Sequence, residues 1–341
     1  MTTPTTNRQL ILASRPKGGI EEGTFEMREE PIPELRDGQF LVRNVYVSID
    51  PTMRGWLIDR PSYVPPVQVG ELMRAGGCGE VVASKNGAFQ VGDRVQGMTG
   101  WQDYAITDGQ GMMQFSPVPE GMSLRHRMSV FGATGMTAYF GMLDVAQPRS
   151  GDTVVVSGAA GATGSIAGQV AKIQGCRVIG MAGTEEKCRW VRDDLGFDEC
   201  INYRTEDVAA RLRETCPGGI NVYFDNVGGE TLDTVLAQIA MNARIALCGG
   251  ISSGYNELAQ PWGPKNYFQL IVMRARMEGF LVLDYVSRFD EASTEMGRWM
   301  AEGMLTSREQ IVGGLENCPG ALQMLFDGEN TGKLLVQIGA E

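Results

Sequence analysis

The chain has 341 residues, 43% of them hydrophobic and 21% charged, with a formal net charge of −11. That apolar content supports a sizeable core rather than disorder, and the length exceeds the ~250–300 residues at which one core stops growing, so two domains are expected. An acidic chain with no run of Lys and Arg matches a phosphate backbone poorly, which sets nucleic acid aside as a partner.

Residues 1–10 lack the charged n-region and apolar h-region of a signal peptide. The one long uncharged stretch, 153–171, carries four glycines together with Ser157, Thr163, Ser165 and Gln169, and reads better as strand, turn and helix than as a membrane span. A cytoplasmic protein is expected.

The first ~125 residues are rich in Gly, Pro and short strand-like runs, which predicts a compact β-barrel or rolled sheet. Runs at 40–49, 79–82, 93–95 and 104–106 are separated by glycine or charged turns, and Asp50-Pro51 stops the first of them. His126, the only histidine, has no nucleophile signature around it and reads as a surface or helix-end residue. Seven scattered cysteines show no metal-ligand spacing; they fit reduced thiols, and no metal site is expected.

From about residue 128 helical windows alternate with short apolar runs at 154–156, 177–181, 199–202, 221–224, 245–248 and 278–282. Six strands separated by helices predict a doubly wound parallel sheet. Its first unit is Val154-Val155-Val156-Ser157-Gly158-Ala159-Ala160-Gly161-Ala162-Thr163-Gly164-Ser165, followed by Ile166, Val170 and Ile173 at helical spacing. A lone glycine triplet equally marks an ordinary tight turn. The next apolar run, ending 17 residues after Gly164, completes a strand-helix-strand unit and favours a dinucleotide site, with phosphate over the turn at the positive end of the helix.

At the end of the second strand, where NAD-specific sheets carry an acid, the chain reads Met181-Ala182-Gly183-Thr184, and Lys187 lies a turn further on. NADP is therefore expected, and Glu185-Glu186 is read as a helix start suited to the dipole. The Gly- and Pro-rich loop 249–268 leaves the fifth strand on the nicotinamide side. Its aromatics Tyr255, Trp262 and Tyr267 either roof a substrate or pack against the domain. A helix is expected at 293–304, and a last strand at 333–338 that rejoins the N-terminal barrel. Without a metal to polarise a carbonyl, hydride addition to an activated C=C is less demanding than ketone reduction, which favours an enone or quinone acceptor.

Several segments jointly carry a resemblance: Tyr46-Val-Ser-Ile-Asp50-Pro51-Thr-Met53-Arg54, Gly100-Trp101-Gln102-Asp103-Tyr104, Gly135-Met136-Thr137-Ala138-Tyr139, the glycine turn, Glu186-Lys187, Ile201-Asn202-Tyr203, Tyr223-Phe-Asp-Asn226-Val-Gly-Gly and Gly328-Glu-Asn330-Thr-Gly332-Lys333. They resemble the zinc-free medium-chain dehydrogenase/reductase family, in its group of NADPH-dependent curcumin, prostaglandin and leukotriene, and 2-alkenal reductases. The resemblance implies a GroES-like β-barrel catalytic domain (1–127 and 305–341) and a Rossmann NADP-binding domain (128–304) on a six-stranded sheet. It places Gly161, Ala162, Thr163 and Gly164 on the pyrophosphate, and Lys187 and Tyr203 on the 2′-phosphate. Asn226, Cys248, Ser252, Phe280, Val282 and Asn330 would line the rest of the cofactor; Cys248 and Phe280 equally suit a core, and Asn330 a turn.

The implied reaction is NADPH-dependent reduction of the C=C bond of α,β-unsaturated ketones or aldehydes, with Tyr255 as donor to the substrate oxygen or enolate. Relatives commonly have that Tyr one residue earlier, before an inserted Gly254, and a Tyr where this chain has Thr52, so a different substrate range is expected. A homodimer with its seam at 278–282 is also implied. The alternatives are an NADPH quinone reductase and a non-catalytic NADP-binding protein.

Overall fold

The computed structural model describes residues 5–111, 114–252, 255 and 263–341. Thr6–Leu12 (β1) and Phe25–Pro31 (β2) form an antiparallel pair that the hydrophobic pattern did not reveal, because β2 carries four charged residues and is mostly exposed. The run expected at 40–49 is Phe40–Ser48 (β3), which is almost wholly buried. A one-turn helix, Thr52–Trp56 (α1), follows it directly. Gly76–Ser84 (β4), Arg94–Met98 (β5), Tyr104–Thr107 (β6) and Ser116–Pro117 (β7) complete the first lobe.

The chain then enters helical territory through Leu124–Met128 (α2), which contains His126, and Ala133–Phe140 (α3), which runs on as a π-turn at Gly141–Ala146. Thr153–Val156 (β8), Ala162–Ile173 (α4), Arg177–Ala182 (β9), Glu185–Asp193 (α5), Glu199–Asn202 (β10), Val208–Thr215 (α6), Ile220–Asp225 (β11), Gly229–Leu236 (α7), Ile239–Leu247 (β12), Gln269–Val272 (α8) and Arg276–Gly279 (β13) follow. The six strands pair in parallel in the order β10-β9-β8-β11-β12-β13. Both faces of this sheet are covered, and the period of two along each strand sorts its side chains. Val154 and Val156 join a core with Ile166, Phe224 and Trp299, while Val155 joins the opposite core with Ile179, Ile201 and Tyr223. The winding reverses between β8 and β11, so the crevice at their carboxyl ends is the switch point.

Phe289–Ala301 (α9), Glu309–Gly313 (β14), Cys318–Asp327 (α10) and Lys333–Gln337 (β15) finish the chain. β15 pairs antiparallel with β3, Leu335 opposite Ser48, so the tail returns to the first lobe in the sheet order β14-β15-β3-β4-β5-β7.

Four expectations on element bounds are corrected. The sixth strand lies at Arg276–Gly279 and not at 278–282: its pairing ends where Gly279 meets Leu247, and Val282 opens a 3-10 helix, Val282–Arg288. Phe280 and Val282 are apolar because they pack on the main core, not because they extend the strand. The fifth strand starts earlier, at Ile239, with Asn242 in the left-handed region at φ 59°. Helix α9 starts at Phe289, its acidic first turn of Asp290 and Glu291 suiting the dipole. The loop 249–268, read as irregular, ends in a 3-10 helix at Lys265–Phe268, where Asn266 bonds Asp233 of α7 through its backbone N–H (2.6 Å to Oδ1) and side-chain amide (3.2 Å to the carbonyl).

Candidate functional site

The glycine turn between β8 and α4 is shaped by contacts that exclude side chains. Gly158 has φ +60°, and a Cβ on Gly164 would lie 2.3 Å from the Gly158 carbonyl oxygen, so α4 can begin this close to the turn only with glycine there. Gly161 is the N-cap, its backbone extended and with no side-chain cap, which leaves the N-terminal N–H groups at Ala162, Thr163 and Gly164 for an external anion. The tail of the chain reaches the same place. Gly332 N–H donates to Ala160 O (2.8 Å), and Gly332 bridges Gly161, which brings Asn330 beside the turn. Asn330 Nδ2 itself donates to Gly332 O (3.2 Å), so the residue closes its own turn beside the glycine turn.

A polar cleft of about 650 Å³ opens at the end of β9, bordered by the cations Lys187, Arg204 and Arg308, by the acids Glu186, Glu309, Asp327 and Glu329, and by Thr184, Gly328 and Thr331. Thr184 caps α5, its Oγ accepting from Lys187 N–H, while Lys187 Nζ donates to Gly328 O (2.7 Å). Tyr203 lies across Gly183, where any Cβ would meet its hydroxyl at 2.6 Å. Arg204, the next residue, donates to Asp327 O (3.0 Å). Burial, and then the neighbouring Arg204, push the Lys187 ammonium down, against a smaller opposing pull from Glu186. Two cations, a phenol and a glycine that clears their path fit a 2′-phosphate. Arg204 and Arg308 carry no sequence signal of their own, although Arg204 directly follows Tyr203.

At the switch point, Asn226 Nδ2 donates to Ser157 O (2.7 Å) and Asn226 N–H donates to Ser157 Oγ (2.9 Å), joining the ends of β8 and β11. Behind it the buried Asp225 accepts through Oδ1 from Tyr223, Ser157 and the N–H groups of Val227 and Gly228, which fixes the turn that carries Asn226. Cys248 follows β12, its N–H on Asp225 O (2.9 Å), and burial pushes its thiol up to about 12. Ser252 Oγ donates to Val227 O (2.6 Å), closing this wall. Phe280 stacks edge-on against Phe224 and fills the space over Gly141, and Val282 packs beside it on the core.

Tyr255 stands at the mouth of this crevice. Its ring faces Gly55 of α1, where a Cβ would lie 3.3 Å from Cδ1, and its hydroxyl lies beside Gly249, where a Cβ would be 3.6 Å away. Burial pushes the phenol up to about 12, so it stays protonated at neutral pH. Beside it on the first lobe, Thr52 and Tyr63 hydrogen-bond through their hydroxyls, and Trp56 Nε1–H donates to Tyr63 (3.1 Å). Tyr63, which the sequence did not point to, thus holds a phenol next to the threonine. Trp262 and Gly254 lie outside the described residues. Tyr267 is 60% exposed. Among the described residues, no group of three or more His, Cys, Asp or Glu is placed to hold a metal ion.

Residues 8–115 match the family model described as the N-terminal domain of oxidoreductase, and residues 162–300 match the one described as zinc-binding dehydrogenase. The chain is 41% identical over 340 residues to the NADPH-dependent curcumin reductase of Escherichia coli, covering 98% of each chain. It is 39% identical to the NADP(+)-dependent 2-alkenal reductase of Nicotiana tabacum over the whole of both chains. The crystal structure of CurA from Vibrio vulnificus in complex with NADPH superposes with a TM-score of 0.92 at 44% identity, over 98% of this chain and all of that one. With a rolled sheet, a six-stranded doubly wound sheet and a glycine turn at their junction, the chain belongs to the medium-chain dehydrogenase/reductase family, in the group of curcumin, 2-alkenal and prostaglandin reductases.

Proposed function

We propose that this protein is a zinc-free reductase of the C=C bond of α,β-unsaturated ketones and aldehydes. It is an NADP-dependent oxidoreductase. We assign residues 128–304 to the NADP-binding domain and 1–127 with 305–341 to the catalytic domain, a division supported by the confinement of β8 to β13 to one sheet and the return of β15 to β3. Gly161, Ala162, Thr163 and Gly164 hold the pyrophosphate, Lys187, Tyr203 and Arg204 the 2′-phosphate, and Asn226, Cys248, Ser252, Phe280, Val282 and Asn330 line the remainder.

The observation that carries the reading is the Tyr255 phenol, neutral and set against Gly55 and Gly249 at the crevice mouth, beside the Thr52–Tyr63 pair. Bound NADPH supplies a hydride, received by the β-carbon of the substrate. Tyr255 donates a hydrogen bond to the carbonyl oxygen, where negative charge develops, without itself bearing charge in the resting state. Tyr63 accepts from Trp56 and so directs its own proton toward Thr52 or a substrate oxygen, which orients the substrate plane. Protonation at the α-carbon completes the saturated product.

A homodimer is part of this reading. β13 is an edge strand, and Tyr267, Phe268, Ile271, Val272, Leu281 and Val286 around it are exposed apolar side chains. No helix among the described residues is long and apolar enough to cross a membrane, and seven free cysteines suit the reducing cytoplasm.

The test is NADPH consumption with an aliphatic 2-alkenal, a phenyl-substituted enone and a quinone, repeated with NADH, with products identified by mass. A saturated carbonyl with NADPH strongly preferred is the expected result. Turnover of quinones alone would make it a quinone reductase, and NADPH binding without turnover a non-catalytic binder.

A further inference from the structure

Cys188 is the fourth residue of α5 and Cys200 the second of β10, and their sulfurs lie 3.1 Å apart, the Cys200 thiol donating to Cys188. Both belong to the core, Cys188 fully buried and Cys200 4% exposed. A disulfide bond of about 2.05 Å would require the sulfurs to approach by only about 1 Å. The pair also flanks the polar cleft: Lys187 adjoins Cys188, and Tyr203 and Arg204 follow Cys200 on the same strand end.

We propose that Cys188 and Cys200 are a dithiol that peroxide closes, and that closure weakens the hold of the neighbouring cleft on NADPH; the second half rests on the cofactor reading above. The Cys188 thiolate attacks one oxygen of hydrogen peroxide, breaking the O–O bond and leaving a sulfenic acid and a hydroxide. The Cys200 sulfur then attacks the sulfenic sulfur, forming the S–S bond and expelling the second hydroxide. The two thiol protons convert both hydroxides to water, so the two electrons lost by the thiols are gained by peroxide. The burial of both sulfurs selects a small oxidant over a protein disulfide.

Selectivity among the seven thiols follows from their surroundings. Burial pushes Cys78 and Cys248 up to about 12 and Cys176 to about 11, and it also raises Cys216 and Cys318. Cys188 moves the other way, lowered by the hydrogen bond it accepts from Cys200, while that bond and burial push Cys200 up; Cys188 is therefore the sulfur that attacks first. Drawing α5 toward β10 moves Lys187, whose ammonium now reaches Gly328, relative to Tyr203 and Arg204.

Reduced protein is treated with hydrogen peroxide, denatured and alkylated, and its adducts are counted by intact mass. Seven adducts before treatment and five after, with the peptides of Cys188 and Cys200 linked until dithiothreitol is added, are expected. The NADPH Kd, read by fluorescence titration, then rises about tenfold and returns on reduction. Cys188→Ser, and Cys200→Ala as a parallel variant, remove both the link and the peroxide response. Seven adducts after peroxide, a link between other cysteines, or a link with unchanged Kd overturns the proposal. A reduced protein that binds no NADPH overturns the cofactor reading and the coupling with it, while the adduct count, read without nucleotide, still decides the dithiol.

Discussion

Lys333 Nζ lies 2.9 Å from Asp50 Oδ1, joining the first residue of the last strand to the end of β3. The lysine is 2% exposed and also donates to Ile49 O (2.9 Å) and Leu334 O (3.2 Å), while Asp50 accepts from Ser48. One cation therefore fixes both the Asp50-Pro51 corner that launches Thr52 and the segment that brings Asn330 to the glycine turn. Removing one partner of a buried pair leaves the other charge and its carbonyls unsatisfied. Lys333→Met should lower the stability by about 3 kcal/mol, discounting the range for buried pairs because Asp50 is partly solvated. Urea denaturation read by tryptophan fluorescence checks it.

Tyr255→Phe removes the phenol proposed to stabilise charge on the substrate oxygen and leaves the ring against Gly55. We expect kcat to fall about a hundredfold, the lower end of general-acid contributions, with the NADPH Kd unchanged. Because burial pushes this phenol up to about 12, its proton is present at every pH below that value and is lost only as pH rises through it. The turnover rate should thus show no fall attributable to Tyr255 between neutral pH and about 10, where an unperturbed phenol would be half ionised. An alkaline limb near 10 that vanishes in Tyr255→Phe would contradict the assignment.

What could be read beforehand followed from local pattern. Val154 to Val156 and the glycines at 158, 161 and 164 announce a strand, a turn and a helix by periodicity and backbone demands alone, and the structure has them at those positions. The Phe280 to Val282 run looked like a strand because apolar residues in a row read the same whether they extend a ladder or plug a core. Tyr63 and Trp56 escaped because an irregular loop, with no period to follow, carries Tyr63 back over α1 to Thr52. Cys188 and Cys200, 12 residues apart, show no spacing rule; only the packing of α5 on β10 brings their sulfurs together.

Lys187→Ala and Arg204→Ala should each weaken NADPH binding and leave NADH nearly untouched, because both side chains border the cleft proposed for the 2′-phosphate. A charge-assisted hydrogen bond is worth about 1.5–3 kcal/mol, so the NADPH Kd should rise about tenfold to a hundredfold for each. The loss should shrink with added salt, since both groups are reached by solvent. Parallel titrations of the two nucleotides at low and high ionic strength measure this, and an equal loss for NADH would place the cations elsewhere on the cofactor.

Gly164→Ala tests the turn itself. The added methyl would sit 2.3 Å from Gly158 O and 2.9 Å from its carbonyl carbon, and both are backbone atoms that no rotamer change can withdraw. The start of α4 must then move away from the turn, which costs about 1–3 kcal/mol of stability in the manner of an overpacked core. It also displaces the N–H groups proposed to hold the pyrophosphate, so NADPH and NADH should weaken together. That common loss separates the pyrophosphate grip from the 2′-phosphate grip of Lys187 and Arg204. Gly161→Ala, whose Cβ would be 3.2 Å from the same oxygen in an extended backbone, should lose far less, and paired thermal melts and nucleotide titrations of the two variants decide the matter.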